Sequence, residues 1–219
     1  GDEKGLRHYV AMSVYLGLII SAVLTVLTIC LTRSTLTLMN TPEDILDEAA
    51  IYIIVIFAGI LPTMFYNLLA GILRALGDSK TPLYFLIISS VLNIALDVFF
   101  IVTLQSGVAG AAYATVISQA VSAVLCLIYI RARFPILRFQ KEELSYSHHS
   151  AFQLMKVGVP MALQFSITAI GTMILQGAIN SFGSTVVGAY TAACKAEQLA
   201  TQPAVTFGAT MASYTGQNL

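Results

Sequence analysis

The chain has 219 residues, of which 57% are hydrophobic and only 10% charged, and its mean hydropathy is +0.82. A soluble domain carries about 25% charged residues, so this composition excludes one and predicts a membrane protein. Eleven basic residues balance eleven acidic ones, which leaves no electrostatic basis for nucleic-acid binding.

In chain order, six apolar spans appear, at about 9–31, 49–73, 83–104, 108–130, 157–181 and 185–214. Each is long enough for a helix to cross a hydrocarbon core, which takes roughly 20 residues. Strands of a membrane barrel run about 10 residues and alternate polar with apolar; these spans do neither. The expected fold class is therefore an all-α membrane protein with six transmembrane helices. Pro62, Pro160 and Pro203 fall inside spans, and kinks are expected just before them. The opening stretch "GDEKGLRH" reads as a loop cut into, not a native beginning.

Six crossings divide the connections into two sets. The set comprising the N-terminal segment, the loop 74–82, the loop 131–156 and the C-terminus holds nine of the eleven basic residues. The other set holds only Arg33, beside the acidic run Glu43, Asp44, Asp47 and Glu48. The positive-inside rule places the first set, and both ends, in the cytoplasm. Very short outer connections, near 105–107 and 182–184, make their flanking helices antiparallel neighbours. The stretch 131–156 is charged and reads as a cytoplasmic linker, with a short amphipathic piece near "FQLMK" on the membrane surface.

Three charged residues lie within spans: Asp97, Lys195 and Glu197. Ser89, Asn93 and Asp97 are spaced by four, so they share one helix face. Thr115, Gln119 and Ser122 share a face of the next helix. Counting from the span ends puts Asp97 and Thr115 at one depth, about 10 Å below the outer boundary. Desolvation favours the neutral form of a carboxylate, and nearby donors favour the charged form. An aspartate so placed suits proton exchange, or ligation of a hard cation such as Na+ through oxygens. The alternative is an aspartate that only bonds one helix to its neighbour.

Lys195 and Glu197, two residues apart, point in different directions. Gln164, Ser166, Thr168, Thr172 and Gln176 give the fifth span a polar face, which suits either a cavity or helix packing. Tyr52, close to the outer end of its span, fits an interfacial belt. Cys30, Cys126 and Cys194 lie far apart, and no metal or disulfide spacing follows from them. There is no Ser–Lys, His-Glu-x-x-His or paired-Asp arrangement, so no enzyme and no cofactor is expected.

The stretches "GILRALGDSKTPLYFLIISSVLNIALDVFFIV", "GVAGAAYATVISQ", "KVGVPMALQFS" and "AYTAACKAEQLATQPAVTFGATMASYTGQNL" together resemble the multidrug and toxic compound extrusion (MATE) family. The resemblance covers nearly the whole chain. It implies a twelve-helix, two-lobe transporter that exports cationic or amphiphilic compounds in exchange for protons or sodium. The six spans then correspond to helices three to eight. Residues 1–130 would be four helices of the first lobe, 131–156 the inter-lobe linker, and 157–219 the first two helices of the second lobe.

The same resemblance implies that Asn93, Asp97, Thr115 and Tyr52 form the cation-coupling site. It makes Gln164, Thr168, Gln176, Lys195 and Glu197 candidates to line the substrate cavity. The implied partners are small amphiphilic or cationic substrates, membrane lipid and the remaining helices of a full-length transporter, in the cytoplasmic membrane. Thr168 stands where the sodium-coupled branch carries a Glu. That departure points to the DinF-like bacterial branch and leaves the coupling ion open. A lipid-linked saccharide flippase would need several basic residues lining its cavity, and only Lys195 is available. A non-transporting membrane scaffold would bury Asp97 in dry packing.

Overall fold

The computed structural model describes residues 3–38, 43–137, 145–180, 182 and 184–218. Helix α1 spans Glu3–Leu38, α2 Glu43–Ala58, α3 Ile60–Ala75, and α4 Lys80–Val98, which continues into a π-helical turn, Phe99–Thr103. Helix α5 spans Gly107–Arg133, followed by a 3-10 turn at Pro135–Leu137; α6 spans His148–Asn180 and α7 Ser184–Asn218. Among the described residues there is no strand.

By length and composition α1, α4 with its π-turn, α5 and α6 can each cross a membrane, and α2 with α3 makes a fifth span bent by 42°. Helix α7 is as long, but Lys195, Glu197, Gln198 and Gln202 leave it less apolar. The sixth expected span therefore does not stand on hydropathy alone.

The bend lies at Gly59, between α2 and α3. Pro62 explains its place. A proline ring clashes with the carbonyl four residues back, here that of Ala58, and lacks the N–H that would bond it. Thr25 on α1 donates to the Phe57 carbonyl at 3.3 Å, beside the break. Helices α6 and α7 run through Pro160 and Pro203 without interruption. Many hydroxyls bond the carbonyl four residues back, as in Thr28, Thr32, Thr35 and Thr63. That habit is how Ser and Thr satisfy themselves inside an apolar helix.

The chain divides into two units, Gly1–Ala151 and Phe152–Leu219. In the first, α5 is the central helix, packed against α2, α3 and α4, while α1 packs on α2 and α3. Small residues let these helices approach: Ala70, Ala112 and Ala114 are almost wholly buried. A further buried cluster joins Tyr66, Leu69 and Leu73 of α3 to Ala123, Cys126 and Ile130 of α5. Arg33 of α1 pairs with Asp47 of α2. Both are exposed, so the pair adds little stability.

The "GDSK" corner between α3 and α4 is built by its own chemistry. Gly77 takes a left-handed φ of 88°. Its N–H bonds the Arg74 carbonyl at 3.0 Å, and the Asp78 N–H bonds that of Leu73 at 2.9 Å, which closes the end of α3. The Asp78 carboxylate accepts from the Thr81 N–H and the Tyr129 hydroxyl, each at 3.0 Å. Burial alone pushes this carboxyl up, but hydrogen bonds from Thr81, Tyr129 and Lys80 outweigh it and hold it below the ordinary value.

Helix α6 begins at His148, inside the stretch expected as a linker, and absorbs "FQLMK" into one continuous helix. Ser147 supplies the start, its Oγ accepting the Ser150 N–H at 3.4 Å. That first turn docks on α1: His8 Nε2 bonds Ser150 Oγ at 3.1 Å, and the Ser147 N–H donates to Met12 Sδ at 3.4 Å. Ala11, Met12, Ser150 and Ala151 are buried there. The middle of the linker, 138–144, lies outside the described residues. In the second unit, α6 and α7 carry largely exposed apolar side chains, for example Phe165 at 70% and Phe207 at 72%.

Candidate functional site

Three hydrogen bonds zip α4 to α5. Ser122 Oγ donates to the Phe85 carbonyl at 3.1 Å, and Ser89 Oγ to the Ser118 carbonyl at 2.8 Å. One turn further out, Asn93 Nδ2 reaches Thr115 Oγ1 at 3.5 Å. The Thr115 hydroxyl donates its own proton to the Ala111 carbonyl at 3.0 Å, so its oxygen is free to accept. The seam thus pairs the two helix faces read from the sequence.

Its register refines their depths. Residue 85 meets 122, 89 meets 118 and 93 meets 115; the next step outward sets Asp97 opposite Ala111, not Thr115. Asp97 therefore lies about one helical turn, roughly 5 Å, outside the Asn93–Thr115 pair. The π-turn that follows supplies the reason. Its wider turns, marked by the Leu104 N–H bonding back to the Phe99 carbonyl, advance less per residue than α-turns. Counting at the α-helical rise from the span end places Asp97 too deep. Gly110 lets α5 lie against this segment, since a Cβ there would stand 2.9 Å from that of Phe100.

Among the described residues, Asp97 Oδ1 is buried and has no hydrogen-bond partner, and Gln119 Oε1 is in the same condition. Leaving a buried acceptor unsatisfied costs about 1–3 kcal/mol, more for a charged group. Such an atom calls for a proton, a water or a cation. Sequence reading placed Gln119 on the polar face without singling it out; only its unsatisfied oxygen does so. Tyr52 is half-buried on α2, and its hydroxyl bonds none of these groups. The oxygens of Asp97, Asn93 and Thr115 form a donor set suited to a hard cation, with Asn93 and Asp97 on successive turns of one helix face.

In the second unit, Gln164, Thr168, Lys195 and Glu197 are exposed. The Thr168 hydroxyl bonds the Gln164 carbonyl at 3.0 Å. Lys195 shares a shallow concavity with Gln198, Leu199 and Gln202. Gln198, Gln202, Thr206 and Thr210 repeat every four residues along α7, a polar stripe that the attention to Lys195 and Glu197 passed over. Gln176 lies on α6, and its side chain is outside what the structure describes.

Long apolar helices, joined by tight corners and zipped by buried hydroxyls and an amide, define a multi-pass helical membrane protein. Comparison with known proteins narrows the class. The MatE family profile matches residues 1–99. Over 218 residues the chain is 34% identical to the probable multidrug resistance protein YpnP of Bacillus subtilis, covering all of this chain and 48% of that protein. It is 26% identical to the probable multidrug resistance protein NorM of Thermotoga maritima, over 97% of this chain and 46% of that one. Among solved structures, it superimposes on a MOP superfamily transporter from Pyrococcus furiosus with a TM-score of 0.87 at 28% identity, covering 97% of this chain and 47% of that one. An inward-facing multidrug resistance MATE family transporter gives a TM-score of 0.81 at 29% identity, over 92% and 46%. The chain belongs to the MATE family. It spans about half the length of the relatives it matches, and the matches extend through α7, which supports the sixth span that hydropathy leaves short.

Proposed function

We propose that this chain is the central portion of an ion-coupled exporter of cationic or amphiphilic compounds in the cytoplasmic membrane. The observation that carries the reading is the buried, unpartnered oxygen of Asp97, one turn from the Asn93–Thr115 bond. The relatives named as multidrug resistance proteins support the export half of it. Asp97 alternates between a charged, accessible state and a neutral or cation-bound one, and that alternation drives a conformational exchange. A proton needs Asp97 alone, whereas Na+ needs several oxygens converging on one point. Asn93 and Thr115 bond each other while Asp97 Oδ1 has no partner among the described residues, which favours the proton. Gln164, Thr168, Gln176, Lys195 and Glu197 would face substrate in the intact transporter.

Efflux of a cationic dye from vesicles containing the intact transporter tests this reading. An imposed proton gradient is expected to drive export, and a sodium gradient at fixed pH is not. Export under neither gradient would end the antiport reading, and export under sodium alone would reverse the choice of ion. Orientation is tested separately, with single cysteines at Ser106 and Ser145 in a background lacking Cys30, Cys126 and Cys194. An impermeant thiol reagent is expected to reach Ser106→Cys from outside and Ser145→Cys only after permeabilisation. Labelling of both from one side would reject the topology.

A further inference from the structure

A cavity of about 520 Å³ opens within the first unit, between α1, α3, α5 and the 3-10 turn. Val10, Val14, Phe65, Leu69 and Leu127 are among its walls, and among the described residues Arg131 is its one charged lining residue. Well-packed interiors leave few voids larger than a water molecule, and a volume of a few hundred Å³ or more is typical of a ligand site. Its walls are apolar, so water is a poor occupant.

The position of the charge says what fits. On α5 Arg131 lies one turn beyond Leu127, and along α3 the apolar lining runs from Phe65 to Ile72. At the helical rise that is about 10 Å, against roughly 15 Å for the hydrocarbon of one leaflet. The apolar part therefore matches most of an acyl chain, with a cation at its mouth. Among the described residues, Glu3 and Asp78 are engaged elsewhere. Glu3 pairs with Arg7 at 3.5 Å, and Asp78 accepts from Tyr129 and Thr81. Arg7 in turn donates to the Ile136 carbonyl at 3.2 Å, which fixes the 3-10 turn beside the cavity. Arg131 makes no ion pair or hydrogen bond among the described residues, and Arg133 follows one turn-half later. An anionic headgroup would supply the missing partner, and the cytoplasmic leaflet is where anionic lipids concentrate.

We infer that this cavity is a binding site for an anionic phospholipid, one acyl chain lying between α1, α3 and α5 and the phosphate held by Arg131. The inference rests on the orientation proposed above and not on export, so a failed efflux assay leaves it standing.

The test uses the intact protein in vesicles doped with phosphatidylglycerol, or in parallel phosphatidylcholine, bearing a photoactivatable diazirine midway along one acyl chain. Adducts are expected in the segments 65–72 and 127–134, with a yield about fivefold higher for the anionic lipid, the effect of roughly one well-placed cation near the surface. Arg131→Gln should bring the two lipids level. Val14→Trp, which fills the cavity, should remove adducts from both segments while labelling around the exposed Val91 and Ile94 of α4 persists. Equal yields for the two lipids, or no response to Arg131→Gln, would overturn the proposal. So would an absence of adducts in the cavity walls, as when another protein segment fills it.

Discussion

Asp97→Asn is expected to reduce gradient-driven efflux to the leak level while leaving membrane abundance at or near that of the parent protein. The substitution keeps the volume of the side chain and its capacity to hydrogen-bond, and removes titration alone. An asparagine can neither take up nor release a proton, so the conformational exchange loses its driving force. Folding should not suffer, because the carboxyl oxygen is buried without a partner, and replacing a buried charge by a neutral amide relieves a desolvation cost. Asn93→Ala and Thr115→Ala each remove one neutral partner across a 3.5 Å contact. A net loss of about 1 kcal/mol per hydrogen bond corresponds to a roughly fivefold weakening of coupling. Were Asp97 only a packing residue, Asp97→Asn would be silent in transport, and Asp97→Ala would mainly lower abundance. Efflux measured in vesicles and normalised to protein amount separates the two. Unchanged gradient-driven export in Asp97→Asn would sink the coupling assignment.

The second large effect is structural and lies on the other side of α5. A Cβ added at Gly59 would stand 2.4 Å from Cγ2 of Val116 and 3.1 Å from the Ile56 carbonyl oxygen. Neither the β-branched side chain nor the backbone yields easily. Gly59→Ala should therefore destabilise the protein by about 1–3 kcal/mol, as overpacking does, lowering Tm by roughly 3–10 °C. Val116→Ala in the same chain removes the opposing methyls and should restore most of the loss. Thermal unfolding in detergent for the two single variants and the double variant forms a cycle. Additive losses would show that the two residues do not meet as the structure places them. Val116 adjoins Thr115, so a shift of α5 at this contact should also weaken the Asn93–Thr115 bond.

Much of this was readable from local rules. Apolar runs of about 20 residues require crossing helices, because a backbone in hydrocarbon must satisfy its own hydrogen bonds. The helical period puts Ser89, Asn93 and Asp97 on one face whatever surrounds them. The three residues 104–106 between the π-turn and α5 force those helices to lie antiparallel. Even the corner at Gly77–Asp78 is local chemistry: a left-handed glycine, then a side chain that caps.

What the sequence could not supply is where those faces meet. The register that joins Asn93 to Thr115 and leaves Asp97 a turn further out depends on a π-turn, and on Gly110 lying against Phe100. Neither announces itself in a hydropathy profile. Three prolines look alike in the sequence, yet the chain breaks only at Gly59, where Val116 of another helix occupies the space a side chain would need. The early start of α6 was hidden for the same reason. Its first turn is held by Met12 and His8, residues more than 130 positions away. Periodicity and hydropathy are properties of a segment. Register, bends and the isolation of Asp97 and Gln119 are properties of the contacts between segments, and those exist only once the helices have packed.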